Sequence, residues 1–199
     1  MQSEPINKQI AIATNNQHKI FEIRKYLNLL GIDLSSPKDL DIQFDVEETG
    51  TTFEENASIK SQELFKKSGI PSFADDSGIC VLGLDGGPGI YSARFGNPQM
   101  NDKERAYHLL KKMEQTQNRL CYYYCAIAFT NSNGTYFFSG RCDGEITYDY
   151  DESGKYGFGY DPIFYYPPLQ KRFSQVETNE KNLYSHRGIA LRKFVDFLK

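Results

Sequence analysis

KQIAIATNNQHKIFEIRKYLNLLG, residues 8–31, changes its hydrophobic period partway along. KQIAIAT (8–14) is a short β-type run. It leads into NQHKIFEIRKYLNLLG, where Ile20, Ile23, Leu27 and Leu30 recur at helical spacing and Gly31 supplies a stop. A strand that hands over at once to a helix points to an α/β rather than an all-β or all-helical chain.

The same alternation continues outward. TFEENASIKSQELFKK (52–67) predicts a second helix, residues 78–84 a strand, and NDKERAYHLLKKME (101–114) a third helix with Asn101 or Asp102 as its cap. RLCYYYCAIAF and TYFFSGRC read as two long strands across the hairpin turn NSNG, and SHRGIALRKFVDFL as a last amphipathic helix with Ile189, Phe194, Val195 and Leu198 on one face. Nothing repeats, and no low-complexity linker divides the chain. The expected fold class is α/β (α+β): a long central mixed β-sheet with helices in two lobes, so that residues 1–199 form a single bilobal domain.

At 199 residues the chain can bury a sizeable core, and its formal net charge of −3 gives no bulk attraction to nucleic acid or to an anionic membrane. Small-molecule chemistry is the expectation. MQSEPINKQ lacks an apolar run before a cleavage site and no 18-residue hydrophobic stretch occurs, so a cytoplasmic protein is expected. Cys80, Cys121, Cys125 and Cys142 show no metal-type spacing and read as reduced core cysteines.

Four stretches carry candidate chemistry. ATNNQHK (13–19) lies where the first strand gives way to the first helix, a place for an anion; Thr14 and Asn16 can donate hydrogen bonds and Lys19 adds a charge, although neither a Walker loop nor a dinucleotide fingerprint is present. EETGTTFEENASIK (47–60) sets Glu47 and Glu48 before a helix carrying Lys60. FADDSG (73–78) places Asp75 and Asp76 side by side at the mouth of an apolar run, either as an ordinary surface turn or as carboxylates compensated by metal, lysine or backbone N–H groups. Two acidic turns beside basic elements suit a hard cation such as Mg²⁺ whose other ligands are phosphate and water. KYGFGYDPIFYYP (155–167) offers Phe158 or Tyr160 as a ring face for a base and Asp161 as an acceptor, while EKNLYSHRG (180–188) groups Lys181, His186 and Arg187 near a helix that Ser185 can cap.

In this order, TxNxxK, EETG with a following lysine, ADDSG, GGPGIYSARF, FGYDP and SHRG resemble the inosine/xanthosine triphosphate pyrophosphatases (dITP/XTP pyrophosphatases), over residues 14–188. The resemblance implies a nucleotide cleft between the lobes, a Mg²⁺ cofactor, a homodimer, and cleavage of purine nucleoside triphosphates with damaged bases (dITP, ITP, XTP) to monophosphate and pyrophosphate. It makes Thr14, Asn15, Asn16, Gln17, His18 and Lys19 a triphosphate loop, Lys60 and Lys181 phosphate ligands, Glu48 and Asp76 the metal carboxylates, Asp76 also the proton acceptor, and Ser77 a substrate contact. Phe158, Gly159, Tyr160 and Asp161, with His186 and Arg187, would hold the base. Asn15 stands where that family frequently has glycine, and its tolerance of left-handed backbone should preserve the loop. The alternatives are a pyrophosphatase for modified pyrimidine nucleotides, which the intact SHRG and FGYDP oppose, and a nucleotide-binding module without turnover.

Overall fold

The computed structural model describes residues 9–28 and 31–199; Lys8 and Leu30, included above in the first strand and helix, lie outside them. The chain runs β1 (Gln9–Ile12), α1 (Gln17–Asn28), β2 (Asp33–Ser35), α2 (Phe53–Ser68), β3 (Ser72–Val81), α3 (Asp102–Lys112), β4 (Leu120–Asn131), β5 (Gly134–Ile146), β6 (Phe164–Tyr166), β7 (Lys171–Arg172), α4 (Thr178–Tyr184) and α5 (His186–Leu198), with short 3-10 turns between several of them. The strands form one seven-stranded sheet in the order β2-β1-β3-β4-β5-β6-β7. It is mixed: β1 runs parallel to β2 and to β3, whereas β5–β6 and β6–β7 are antiparallel. No helix among the described residues is long and apolar enough to cross a membrane.

The chain divides into two compact units, and β3, β4 and β5 each carry it from one to the other. The first unit holds the residues up to Asp76 together with Ala126–Phe138. Its core packs Leu64 among the alanines Ala11, Ala13, Ala57, Ala74 and Ala128, whose small side chains let α2 lie close on the sheet. Both ends of α2 are closed by local chemistry. Thr52 accepts from the N–H of Glu55 while Glu55 reaches back to the cap, and Gly69 ends the helix at φ 68°. The second unit, Ser77–Cys125 with Ser139–Lys199, has a heavier core in which Ile79, Leu109, Met113, Phe164 and Phe173 are fully buried.

Several elements differ from the sequence reading. The strand expected over 78–84 begins at Ser72 and stops at Val81, where Leu82–Leu84 turn into a 3-10 helix. FADDSG is therefore not a turn. Ser72 and Phe73 pair with Ala11 and Ile12 of β1, and the aspartates follow in the same strand, which lies between β1 and β4, despite their poor β-propensity. In α5 the buried face is Ala190, Leu191, Phe194 and Val195, with Ile189 and Leu198 only half-buried, while α4 had no counterpart in the reading. The four cysteines are free and buried, as expected.

The start of α5 is seated on β5 at Gly140, where an added Cβ would collide with the carbonyl of His186 and come within 2.8 Å of the Ala190 nitrogen. Gly140→Ala should therefore cost about 1–3 kcal/mol through overpacking. Thermal denaturation should show it as a fall of roughly 2–4 °C in Tm per kcal/mol for a protein of this size. An unchanged Tm would mean that the helix start is not held this tightly.

Candidate functional site

Within the first unit, two lysines meet three carboxylates. The ammonium of Lys60, on α2, lies 2.7 Å from Glu48 Oε1 and 2.7 Å from Asp76 Oδ1. Lys19, on α1, pairs with the carboxylate of Asp75 and also donates to the Asp75 carbonyl at 3.3 Å, an oxygen that Lys60 approaches at 3.4 Å. Adjacent strand residues point to opposite faces, so Asp75 and Asp76 do not confront each other. Each meets its own lysine instead. Burial opposes charge on Lys60, yet Asp76 and Glu48 together lift its pKa above the ordinary value. Burial also pushes the Asp76 carboxyl above its usual range, against the pull of Lys60 and Lys19.

The loop before α1 is organised by its own asparagine. Asn16 Oδ1 accepts from the N–H groups of His18 (3.0 Å) and Lys19 (3.2 Å), and Thr14 Oγ1 accepts from the N–H of Asn16 (3.1 Å). Part of the N–H array foreseen for an anion is thus already engaged by the cap. Asn15 needs no left-handed backbone, since it is not among the residues with positive φ; its carboxamide donates to the Phe44 carbonyl at 2.6 Å. Asn15, Asn16, Gln17 and His18 are exposed.

The second unit gathers the remaining candidates. Asp161 Oδ2 takes the Lys181 ammonium at 2.5 Å and the N–H of Phe158 at 2.9 Å. Lys181 belongs to α4 and lies 5.5 Å from the centre of the Phe158 ring, with the Arg187 guanidinium 5.6 Å from the same ring. Arg187 also donates to Ser77 Oγ at 2.9 Å, joining ADDSG to SHRG. His186 is buried rather than a surface residue, its ring stacked on Tyr123 with centroids 4.5 Å apart. Ser185 caps α5 as expected, accepting from the N–H of Gly188. Phe158 is half-buried and can offer a ring face. Tyr160 cannot: it is 5% exposed and its hydroxyl is committed to the Ser92 carbonyl at 2.8 Å. The N–H of Gly159 is also committed, to Asp102 at 2.9 Å.

Residues 10–197 match the family model described as the Ham1 family. The chain belongs to the Ham1 family. Among curated relatives, the dITP/XTP pyrophosphatase of Leptospira interrogans is 53% identical over 194 residues, covering 98% of each chain, and that of Leptospira biflexa is 48% identical over 192 residues, covering 96% of this chain and 97% of that one. The solved structure of the Staphylococcus aureus Ham1 protein superposes with a TM-score of 0.85 at 40% identity, covering 96% of this chain and 98% of that one. A nucleoside-triphosphatase / dITP/XTP pyrophosphatase from Mycobacterium abscessus gives 0.74 at 33% identity, covering 94% and 98%.

The α/β fold on a mixed sheet expected from this family's motifs is the fold of the chain. Sequence reasoning gave Asp75 only a supporting place beside Asp76 and gave Tyr123 none. Asp75 holds Lys19, and Tyr123 bridges His186 and Asp161. No motif signals Tyr123, whose only sequence mark is its place in an aromatic strand.

Glu48 and Asp76 approach one ammonium, so their oxygens are no farther apart than twice the hydrogen-bond distance. Among the described residues no group of three or more His, Cys, Asp or Glu could hold a metal. A pair of hard oxygens without a cage fits Mg²⁺, which keeps water and phosphate for its other positions.

Removing Lys60 tests the electrostatics of this cluster. Lys60→Met leaves Glu48 and Asp76 without their shared cation and should destabilise the fold by on the order of 3 kcal/mol. Asp76 would then hold its proton to a still higher pH in the folded chain, while the unfolded group keeps its ordinary value of 3.8. Acidification from neutrality toward about 4 therefore protonates the folded form first, and the deficit should shrink. Urea unfolding at several pH values reads this; a deficit that grows on acidification would contradict it.

Proposed function

We propose that this chain hydrolyses purine nucleoside triphosphates with damaged bases, of the dITP, ITP and XTP kind, to the monophosphate and pyrophosphate, and so cleanses the nucleotide pool of the cytoplasm. The observation that carries this reading is the Lys60 ammonium held between Glu48 and Asp76, with Lys19 fixed on the neighbouring Asp75. Residues 1–199 are read as a single bilobal nucleoside triphosphate pyrophosphatase domain. The relatives' names support the reaction, and the working form we propose is a homodimer.

Thr14, Asn15, Asn16, Gln17 and His18 form the exposed loop that borders the phosphates, and Lys19 and Lys60 supply positive charge against their oxygens. Lys181, expected as a phosphate ligand, is paired to Asp161 and lies 5.5 Å from the centre of the Phe158 ring, so we assign it to the base-holding residues. Glu48 and Asp76 would hold Mg²⁺, which when bound offsets charge on the phosphates. Asp76 takes the proton of the attacking water. It is suited to this because burial raises its pKa above the ordinary carboxylate value, against the pull of Lys60 and Lys19. With the outer phosphates held and neutralised, attack falls on the α-phosphorus and the leaving group is pyrophosphate.

At the base, Ser77 fixes Arg187, and His186 with Arg187 supplies donors for a 6-keto oxygen while Phe158 offers its ring; Gly159, Tyr160 and Asp161 hold that loop in shape. Adenine presents a 6-amino donor instead. Mispairing against buried donors supports discrimination of up to about 10⁴. ITP should therefore be preferred strongly over ATP, and His186→Ala should weaken selectivity more than it weakens holding of the triphosphate tail. Equal kcat/KM for ITP and ATP would overturn the base assignment.

The catalytic assignment has its own test. With ITP and Mg²⁺ the primary products should be IMP and pyrophosphate, separable by anion-exchange chromatography. Asp76→Asn keeps the shape but loses the charge, and should lower kcat by roughly 10² or more with a smaller change in nucleotide binding. Orthophosphate as the primary product, or near-normal turnover by Asp76→Asn at saturating Mg²⁺, would refute the mechanism.

A further inference from the structure

Tyr123 has no place in any motif, yet two of them converge on it. Its ring lies flat against His186, at an interplanar angle of 9°, and its hydroxyl donates to Asp161 Oδ1 at 3.2 Å. The other oxygen of the same carboxylate is shared by Lys181 and the N–H of Phe158. Gly157, at φ 74°, closes over the group, since an added Cβ would lie 2.8 Å from Asp161 Cβ. Asp161 and Tyr123 are 2% and 6% exposed, so little water reaches either. Burial, and then the Asp161 charge, push the phenol well above its ordinary value, so it remains a donor throughout the working range of pH.

We propose that Tyr123 is a positioning residue for base selectivity: by capping Asp161 Oδ1 it keeps the one buried carboxylate of the base set closed to donor groups of a ligand. The inference rests on the reading of the chain as a purine triphosphate pyrophosphatase and deepens it. The groups around Phe158 are Lys181 and Arg187, with His186 behind them on Tyr123, so the set is rich in donors. Its acceptor is Asp161, whose two oxygens are already engaged by Tyr123, by Lys181 and by the Phe158 N–H. Hypoxanthine and xanthine present keto oxygens and are served by such a set. Adenine and guanine carry exocyclic amino groups, which need an acceptor and find this one occupied. The same arrangement thus acts against ATP through its 6-amino group and against GTP through its 2-amino group, although GTP shares the 6-keto oxygen.

Tyr123→Phe keeps the ring and its stack on His186 and removes only the hydroxyl. Oδ1 is then left without that donor and becomes an acceptor for an amino group. The ratio of kcat/KM for ITP to that for GTP should fall about tenfold, the weight of one hydrogen bond, mainly through a gain with GTP. The gap between the dissociation constants of IMP and GMP, measured by calorimetry, should narrow in the same direction. An unchanged ratio would overturn the proposal. So would a parallel loss for all substrates with a lowered Tm, or a variant that does not fold, because the hydroxyl would then serve packing rather than selectivity. Failure of the wild type to release pyrophosphate from ITP would instead refute the functional reading, and the IMP and GMP constants would still decide the role of Tyr123.

Discussion

Everything at the acidic end of this protein depends on a single ammonium being shared by two carboxylates. Asp76 lies in a central strand, where an ionised oxygen without a partner is costly, and Glu48 comes from a loop more than twenty residues earlier in the chain. Lys60 makes both tolerable at once. It can do so because α2 is anchored at both ends, by the Thr52–Glu55 capping box and by Gly69, so the lysine projects from a helix with little freedom to shift. The same device appears beside it, where Lys19 of α1 covers Asp75. Three carboxylates thus share two lysine ammoniums in a place where neutral side chains would be more stable, the kind of arrangement that clusters at functional sites.

The second unit solves a similar problem by different means. Asp161 is buried more deeply than Asp76, but it receives an ammonium, a backbone N–H and a phenol, all from the protein. Such a saturated carboxylate is suited to holding other groups still. It fixes the 157–161 loop through Phe158, draws Lys181 over the Phe158 ring, and through Tyr123 is tied to the plane of His186. The two aspartates are compensated differently: Asp76 meets the ammonium of Lys60, whereas Asp161 receives a backbone N–H and a phenol besides its ammonium.

The close approach at Gly140 belongs to the same logic. His186 and Arg187 open α5, and the first turn of a helix is where its backbone has fewest internal bonds. Direct contact of that turn with β5, together with the Ser185 cap, gives these side chains a fixed base from which the guanidinium reaches Ser77 and the Phe158 ring.

Much of this was legible in the sequence. The change of period after Thr14, the capping residue Asn101, the NSNG turn and the Ser185 cap are local signals, and local signals are what helical spacing and turn chemistry record. Six motifs in order were enough to indicate the family, because each needs particular residue types at particular separations. The sequence could not show that FADDSG is strand rather than turn, since Asp disfavours strands and only lysines from two separate helices, with the β1 ladder, reverse that preference. Nor could it show that Tyr160 turns into the core while Phe158 does not, or that Tyr123 stands between His186 and Asp161. The sequence by itself determined the elements and the chemical types available to the site. The tertiary structure alone decided which acid meets which base, because pairing across tens of residues depends on where packed helices and strands place each side chain.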